Sequence, residues 1–579
     1  MDVAEGFGCS LDDLPEPLIH TIFGLLNLSD LALCACVSKK WASWAEEQLA
    51  RLERISLADF VGYPLLHNYL LLGDGGNPAL KAKVLRYLPS AFLYISKNCR
   101  SIQQLHLELP APPEAINTAL ERMAAAEVLP LNPQAECPPV DGFLVKLVAQ
   151  GCPQLRSLRC LNVTNNRAFN RLVHINDAFL AVLAKSCPQL QDLHLGHLGG
   201  QENIYSLAPY YCEDITDMGI KSVARGCTNL RSLGLLRCNK VTDQGLGLVA
   251  HFCRQLTALR LHDCPEVSDA ALVEVGECCP KLRSLDVTIS TRVVGLLMGE
   301  EVEQVGFRAL FTIAANCPLL EEVVLLEAAA HRPTVDDDCL ICLAQGCRRL
   351  RRLELRRCSG VTDTGIQAVA SRCKELQELV LEHTGVGDAG IAAIAKCCPR
   401  LRKLSLTVPG FCRPPLAAIS VVNQADGGPR GGPRSISDAA LVAVADHCRA
   451  LEDLELAGSC SVTDTGIKYL ASPEHTALHH NLRRLAINHT AATEGSVCEL
   501  LMRCKSLRSL GLRGLLFNAD STMGCIAHSC RDLKSIDLRH CSTLSDAGLA
   551  VLAQGCPHLE ELLLSFCTQL SDACHYVDY

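Results

Sequence analysis

Residues 241–264 read VTDQGLGLVAHFCRQLTALRLHDC, and this stretch decides the fold because most of its features recur along the chain. It opens with a short apolar-[Ser/Thr]-Asp motif that ends at Asp243 and is repeated at Asp269, 26 residues later. A cysteine stands ten residues after each of these aspartates, at Cys253 and Cys279. A leucine-rich string, LTALRL at 256–261, then follows the cysteine.

The recurrence of this unit predicts the fold class. Further opening aspartates occur at Asp363, Asp464, Asp546 and Asp572. A fixed period of about 26 residues with the pattern L-x-x-L-x-L is typical of a leucine-rich-repeat solenoid. We therefore expect an α/β protein: a horseshoe-shaped solenoid with parallel β-strands on the concave side and helices outside. About fifteen repeats are expected over residues 93–579.

The first half of one unit predicts a helix. Thr242 and Asp243 stand where a helix N-cap belongs, because their side-chain oxygens can accept hydrogen bonds from the free amides of the first turn. Leu246, Val249 and Ala250 then fall on one helical face. Each unit can bury this face only by stacking on its neighbour.

The second half of the unit predicts a short strand. Alternation along a strand sends Leu259 and Leu261 into the core, and it sends Ala258, Arg260 and His262 to the concave side.

The chain has 34 cysteines in 579 residues, a number that two positions of the repeat largely explain. Both positions lie where the chain turns in a cramped, apolar environment, which suits a small side chain that donates weakly to backbone carbonyls. We expect structural thiols rather than disulfides or metal ligands. Fourteen stand at helix ends: Cys99, Cys152, Cys187, Cys227, Cys253, Cys279, Cys317, Cys347, Cys373, Cys398, Cys448, Cys504, Cys530 and Cys556. Six follow the strand: Cys238, Cys264, Cys358, Cys460, Cys541 and Cys567.

The N-terminal segment, residues 10–50, differs from the repeats and is expected to form a small three-helix unit in front of the solenoid. Pro15 and Pro17 suit a first helical turn, an apolar stripe follows, and both tryptophans of the chain, Trp41 and Trp44, lie here. A unit of about 40 residues buries too little surface to be stable alone, so its apolar face indicates a docking partner or, alternatively, a cap on the solenoid.

Both parts resemble known families. The repeats resemble the cysteine-containing leucine-rich repeats of F-box proteins, and the N-terminal segment resembles the F-box itself. The resemblance implies that this face binds the Skp-type adaptor of a cullin ubiquitin ligase. The matching positions, which we expect to contact the adaptor, are Leu14, Pro15, Leu18, Ile19, Ile22, Phe23, Leu26, Val37 and Trp41.

Composition excludes several classes of function. A net charge of −9 and a pI near 6.1 argue against nucleic-acid binding. The sequence has neither a basic start followed by an apolar run nor a stretch of roughly 18 apolar residues, so we expect no secretory signal and no membrane helix. The cysteines then indicate a reducing compartment, cytoplasm or nucleus.

The remaining segments divide the chain further. Residues 51–92 are interpreted as a partly helical linker that contains GDGGNP at 73–78. Three repeats carry insertions between strand and helix, at 198–214, 289–304 and 408–435. These insertions are either tolerated surface variation or loops that overhang the concave face and grip a target.

Candidate target-binding residues lie on the predicted concave face, toward which Arg352, Glu354 and Arg356 of one strand are expected to point. The run CRRLRRLELRRC (347–358) places two arginines between glutamates of neighbouring strands, which indicates an ion-pair ladder or, alternatively, an anion site for a phosphorylated or acidic segment. The candidates are Arg260, His262, Arg352, Arg356, Glu378, Glu382, Lys403, Arg484, Arg513 and Arg539.

No cofactor, metal or catalytic site is expected. Gly245, Gly247 and Ala250 spell G-x-G-x-x-A, but Gly245 belongs to the repeat. Cys339 and Cys342 form a C-x-x-C without a second pair to complete a metal site.

Three functions follow as hypotheses. The resemblance implies a non-enzymatic substrate receptor of an SCF-type (Skp–cullin–F-box) ubiquitin ligase that promotes proteasomal degradation of a target protein. Some plant relatives of this layout bind a hormone with an inositol phosphate below it, which makes a small-molecule co-receptor the second hypothesis. The third is an interaction scaffold that does not enter a ligase.

Overall fold

The computed structural model describes residues 43–45, 47–48, 51, 54–56, 103–106, 152–162, 175–197, 212, 214–289, 307–327, 334–407, 436–458, 461–514 and 519–571. It divides the chain into two compact units, Met1–Leu256 and Thr257–Tyr579. Both units are built of parallel strands that alternate with helices.

The first unit contains five described strands, each paired in parallel with the next along the chain. They are β1 Arg54–Ser56, β2 Gln104–His106, β3 Ser157–Asn162, β4 Asp192–His197 and β5 Ser232–Leu236. The helices are α1 Asp177–Ser186, α2 Asp217–Gly226 and α3 Asp243–Phe252. Because β1 already pairs with β2, strand pairing begins inside the segment interpreted as a linker.

The second unit continues the same plan with eleven described strands, again paired in parallel in sequence order. They are β6 Ala258–His262, β7 Ser284–Ile289, β8 Glu322–Glu327, β9 Arg352–Arg356, β10 Glu378–Glu382, β11 Lys403–Thr407, β12 Asp453–Ala457, β13 Arg484–Asn488, β14 Ser509–Gly511, β15 Ser535–Asp537 and β16 Glu561–Leu563.

Helices connect these strands, and neighbouring long helices pack against one another. They are α4 Asp269–Cys278, α5 Phe307–Asn316, α6 Asp337–Gly346, α7 Asp363–Arg372, α8 Asp388–Cys397, α9 Asp438–His447, α10 Asp464–Leu470, α11 Thr476–Asn481, α12 Glu494–Arg503, α13 Ala519–Ser529 and α14 Asp546–Gly555. A short 3-10 helix, Pro473–His475, precedes α11. The solenoid-like stacking of strand and helix layers confirms the predicted fold class.

The core of each unit lies between its strands and helices. In the second unit Leu259 and Leu261 are only 1% and 2% exposed, whereas Arg260 between them is exposed. Val275 on the facing side of α4 is fully buried. This alternation confirms the predicted orientation of the strand, and it defines an outer sheet face made of the side chains that point away from the core.

The cysteines at the helix ends form a ladder of hydrogen bonds between repeats. The thiol of Cys373 donates to the backbone carbonyl of Cys347 at 3.5 Å, and the thiol of Cys398 donates to the carbonyl of Cys373 at 3.7 Å. In the first unit the thiol of Cys187 donates to the carbonyl of Cys152 at 3.2 Å. The predicted donation from cysteine to backbone carbonyls is therefore confirmed, and burial raises the pKa of Cys373 to about 11.

A second ladder runs through the aspartates that open the helices. Thr242 is the N-cap of α3, and its hydroxyl accepts from the amide of Gln244 at 3.2 Å. The carboxylate of Asp217, in the preceding repeat, accepts from the amide of Thr242 at 2.9 Å and from its hydroxyl at 2.6 Å. A Cβ on Gly245 would lie 2.3 Å from Asp217 Oδ1. The glycine of the dinucleotide-like string therefore makes room for the aspartate of the previous repeat.

Several sequence expectations lie outside the described residues. These include the F-box segment up to Trp41, most of the linker and nearly all of the three insertions. The predicted domain boundaries and their roles remain predictions.

Candidate functional site

The outer sheet face of the second unit brings together the candidate target-binding residues. The strand register places Arg352 beside Glu378 and Arg356 beside Glu382. Arg513 and Arg539 each stand two residues past the end of a strand, β14 and β15 respectively. The structure thus places the ten predicted residues along one face, while their role in binding a target stays a prediction.

At the start of this face, Arg260 and His262 converge on a carboxylate that sequence reasoning missed. Arg260 Nε lies 2.7 Å from Asp286 Oδ2, and His262 Nε2 lies 2.8 Å from Asp286 Oδ1. The other imidazole nitrogen of His262 lies 2.9 Å from the Thr288 hydroxyl. Burial would raise the pKa of Asp286, but the neighbouring histidine and arginine outweigh it and hold that pKa below its ordinary value.

In the middle of the face, a buried glutamate joins the two arginines of the RLELR strand. Arg352 Nη2 lies 2.8 Å from Glu354 Oε2, and Arg356 Nε lies 2.6 Å from Glu354 Oε1. The side chain of Glu354 is only 5% exposed, whereas those of Arg352 and Arg356 are 42% and 45% exposed. Burial would raise the pKa of Glu354, but the hydrogen bonds and charges of the two arginines hold it below its ordinary value.

The predicted lateral ion pairs are present but longer. Arg352 Nε lies 3.6 Å from Glu378 Oε2, and Arg356 Nε lies 3.6 Å from Glu382 Oε2. Glu322 occupies the matching position on the preceding strand. Carboxylates therefore outnumber the guanidinium groups here, which favours the ion-pair ladder over the anion site at these two arginines.

Farther along, one aspartate lies between two predicted cations. Lys403 Nζ lies 3.7 Å and Arg484 Nε lies 3.9 Å from Asp453 Oδ2. Burial holds the pKa of Asp453 above its ordinary value despite these two cations. Contacts of this length between partly exposed side chains contribute little to stability.

The last two arginines differ from each other. Arg539 forms a two-point ion pair with Asp537, the last residue of β15, with Nε 2.9 Å from Oδ1 and Nη2 2.7 Å from Oδ2. Arg513 Nη2 instead lies 3.4 Å from His540 Nε2. Within the described part of the chain, Arg513 has no carboxylate within 4.0 Å.

Sequence reasoning missed two carboxylates of this face, Asp286 and Asp453. It predicted the outward position of Glu354 but not its burial between the two arginines of its own strand. Each of the three stands at an outward position of a strand, so their orientation was available from the alternation. Their partners could not be read in the same way, because Lys403 and Asp453 are neighbours in space but 50 residues apart in the sequence.

No metal centre or membrane-spanning helix is found within the residues that the structure describes. There, no group of three or more His, Cys, Asp or Glu side chains could hold a metal ion. Cys339 and Cys342 of the C-x-x-C lie on α6, where burial raises the pKa of Cys339 to about 12. No helix in the described ranges combines the length and apolar character needed to cross a membrane.

The predicted adaptor-binding surface falls outside the described residues. Its members are Leu14, Pro15, Leu18, Ile19, Ile22, Phe23, Leu26, Val37 and Trp41. The described residues just after it are helical, and Trp44 among them is 6% exposed.

Comparison with protein families found two matches. The F-box-like family matches residues 11–51, and a leucine-rich-repeat family matches residues 372–395 and 529–553. A search of curated proteins found no match. The first match coincides with the segment whose pattern resembles the F-box, and the second falls on the repeat unit defined by aspartate, cysteine and leucine.

Two solved structures are among those similar to this chain. The Rad7–Elc1 complex of yeast matches with 14% identity and a TM-score of 0.42, over 66% of this chain and 76% of that chain. An internalin (InlF) of Listeria monocytogenes matches with 15% identity and a TM-score of 0.33, over 74% of this chain and 98% of that chain. Neither is similar enough to transfer a partner or an activity to this chain.

Proposed function

We propose that this chain, which combines an F-box-like segment with leucine-rich repeats, is the substrate-recognition subunit of an SCF-type ubiquitin ligase. The observation that carries the proposal is the occurrence of both parts in one chain. Either part alone is compatible with many functions. Together they supply one surface for a ligase core and another for a target.

In this proposal the two surfaces have separate tasks. The F-box face, with Phe23 and Leu26 in its apolar stripe, binds a Skp-type adaptor and through it a cullin. The outer sheet face of the repeats binds the target protein. This assignment is supported by the long row of outward side chains on parallel strands in register. These side chains carry charges of both signs, which can select a partner.

The proposed protein breaks no bond itself. It holds the target near a ubiquitin-charged conjugating enzyme, so that lysines of the target meet the reactive thioester at a raised effective concentration. Ubiquitination would then direct the target to the proteasome. The proposal places the protein in the cytoplasm or the nucleus.

Co-purification with the ligase core tests this proposal. The full chain is co-expressed with a Skp-type adaptor and a cullin, and a stable complex is the expected result. Phe23→Glu combined with Leu26→Glu is expected to abolish the complex, because charges replace apolar contacts. The control is Met218→Glu combined with Met502→Glu, which changes two exposed apolar side chains on repeat helices. A missing wild-type complex, or equal behaviour of both double variants, would contradict the proposal.

The two other hypotheses receive less support from the described residues. A polyphosphate site on the outer face needs arginines without acidic neighbours, whereas Arg352 and Arg356 are paired with Glu354. A non-ligase scaffold would bind the same partners without changing their lifetime. Accumulation of bound partners when the proteasome is inhibited therefore separates the scaffold from the ligase subunit.

A further inference from the structure

Four consecutive repeats near the end of the described chain carry an unusual column of residues beyond their strands. The column consists of His489, Gly514, His540 and Phe566, and all four have a positive φ, between 52° and 68°. The same backbone conformation occurs after other strands, for example at Arg357, so it belongs to the repeat. What distinguishes this end is the side chains: two imidazoles, a phenyl ring and a glycine.

These residues form a strip in which His489 packs on Gly514 and His540 stacks on Phe566. The rings of His540 and Phe566 are stacked, with centroids 4.6 Å apart and planes 8° apart. A Cβ on Gly514 would lie 2.1 Å from Cε1 of His489, so the His489 ring covers the glycine closely. Phe566 remains 68% exposed. An exposed apolar ring therefore lies at one end of a row of imidazoles.

Arg513 lies within this strip and differs from the other basic candidates on the face. Arg260, Arg352, Arg356, Lys403, Arg484 and Arg539 each have a carboxylate within 4.0 Å. Arg513, by contrast, has no carboxylate within 4.0 Å among the residues that the structure describes. Its Nε is buried without a hydrogen-bond partner, and its Nη2 lies 3.4 Å from Nε2 of His540.

The backbone fixes the position of this arginine. The amide of Arg513 donates to Oδ1 of Asn488 at 2.9 Å, and its carbonyl accepts from the amide of His489 at 3.0 Å. Arg539 lies one repeat later and is held by Asp537 in a two-point ion pair. Asp537 is thus already engaged by one arginine, and positive charge predominates in the strip.

The charged and titratable groups around the imidazoles are Arg513, Arg539 and Asp537. Burial and the charge of Arg513 hold the pKa values of both His489 and His540 below their ordinary value, and Arg539 adds to this effect at His540. A bound anion would offset this repulsion and let the imidazoles take up protons and donate hydrogen bonds. A phosphate monoester carries more negative charge than a carboxylate, so it offsets the repulsion more fully.

We propose that Arg513, together with His489 and His540, binds a phosphorylated side chain of the target segment, and that Phe566 packs against the residue beside it. A guanidinium group presents a planar set of donors that suits phosphate oxygens. The identification of the ligand as part of a target protein rests on the proposed function. The site lies apart from Arg352 and Arg356, whose charges are offset by Glu354, Glu378 and Glu382.

The test uses immobilised full-length protein and three degenerate peptide libraries that differ at one central position: phosphoserine, serine or glutamate. Retained peptide is quantified by mass spectrometry. The phosphoserine library is expected to be retained at least about tenfold more than the other two, and Arg513→Gln is expected to remove this preference. Arg513→Lys should restore part of it, because it keeps the charge without the planar donors.

The matched control is Arg352→Gln, which removes an arginine of the same face that is already paired with Glu354. This variant should retain the phosphoserine library as well as the wild type does. Thermal unfolding of every variant shows whether the fold is kept. Equal retention of the three libraries, unchanged retention by Arg513→Gln, or equal losses in both variants would overturn the proposal. Failure to bind the adaptor, by contrast, would refute the ligase role while leaving an Arg513-dependent phosphopeptide preference intact.

Discussion

The carboxylate of Asp337 accepts hydrogen bonds from the backbone amide of Thr362 at 2.7 Å and from its hydroxyl at 2.6 Å. A third bond comes from the amide of Gly365 at 3.0 Å. The aspartate that opens one helix therefore holds the start of the next helix. Because solenoid repeats contact only their neighbours, such bonds form part of the interface that stabilises the stack.

We expect Asp337→Ala to lower the free energy of unfolding by about 2–3 kcal/mol, since it leaves the amides of Thr362 and Gly365 without their acceptor. Urea denaturation followed by circular dichroism measures the loss. Asp338→Ala is the matched control, because Asp338 is exposed in the same first turn. It should cost no more than about 0.5 kcal/mol. Equal losses would show that the bond between repeats contributes nothing.

Gly365→Ala should destabilise the protein although alanine favours helices. A Cβ at this position would lie 2.6 Å from Asp337 Oδ1 and 3.1 Å from Leu340 Cδ1, so the aspartate ladder has to shift, at a cost of about 1–3 kcal/mol. Gly524, also inside a helix, has nothing within 4 Å of its Cβ position. Gly524→Ala should therefore raise stability by up to about 1 kcal/mol. Thermal melting of both variants checks the prediction, which fails if they shift the midpoint in the same direction.

Alkylation of the native protein should distinguish the buried thiols of the cysteine ladder, such as Cys373, from the more reactive thiol of Cys525. A hydrogen bond from the thiol of Cys498 lowers the pKa of Cys525 to about 7, against the raising effect of burial. Burial raises the pKa of Cys373 to about 11. Because the thiolate is the reactive form, iodoacetamide at pH 7.5 should label Cys525 well before Cys373. Peptide mapping by mass spectrometry gives the order.

Two further experiments make this prediction specific. Cys498→Ala should slow the labelling of Cys525, because it removes the hydrogen bond that stabilises the thiolate. Unfolding in urea should bring Cys373 to the labelling rate of Cys525. Similar native rates for the two cysteines would contradict the assignment.

Glu354 should make stability depend on pH in the acidic range. Its pKa in the folded protein lies below the ordinary 4.5, so its contribution is present above about pH 4.5 and is lost as pH falls through the lower, folded value. Glu354→Gln should cost about 1–3 kcal/mol at pH 7, because two arginines lose their common partner. The same substitution should flatten the decrease in stability below pH 4.5.

Glu378→Gln is the control for this prediction. Its side chain is 41% exposed and its carboxylate lies 3.6 Å from Arg352, so the change should stay within about 0.5 kcal/mol. Urea midpoints measured between pH 3 and pH 7 for both variants decide the question. An unchanged pH dependence in Glu354→Gln would contradict the assigned role.

Much of one repeat could be predicted from the sequence because its rules are local. Helical spacing placed Leu246 and Val249 on a buried face, and alternation placed Leu259 and Leu261 in the core. Thr242 was correctly predicted as a cap because capping depends on the first turn alone. The burial of the helix-end cysteines followed from their fixed place in the repeat.

The partners across repeats were harder to predict. Asp243 was assigned to the cap of its own helix, but the matching Asp217 bonds to the cap of the next repeat. Insertions vary the spacing, so neighbours in the stack can be 50 residues apart, as Lys403 and Asp453 are. No local rule identifies such pairs.

The sequence by itself determined the repeat, its helix and strand, and the direction in which each side chain points, since hydrophobic burial enforces one periodicity in every unit. Only the tertiary structure decided which charges meet. It buried Glu354 between two arginines and left Arg513 without a carboxylate among the described residues. The physical reason is that charge pairing depends on strand register and side-chain reach across neighbouring repeats, whereas the repeat pattern depends on burial alone.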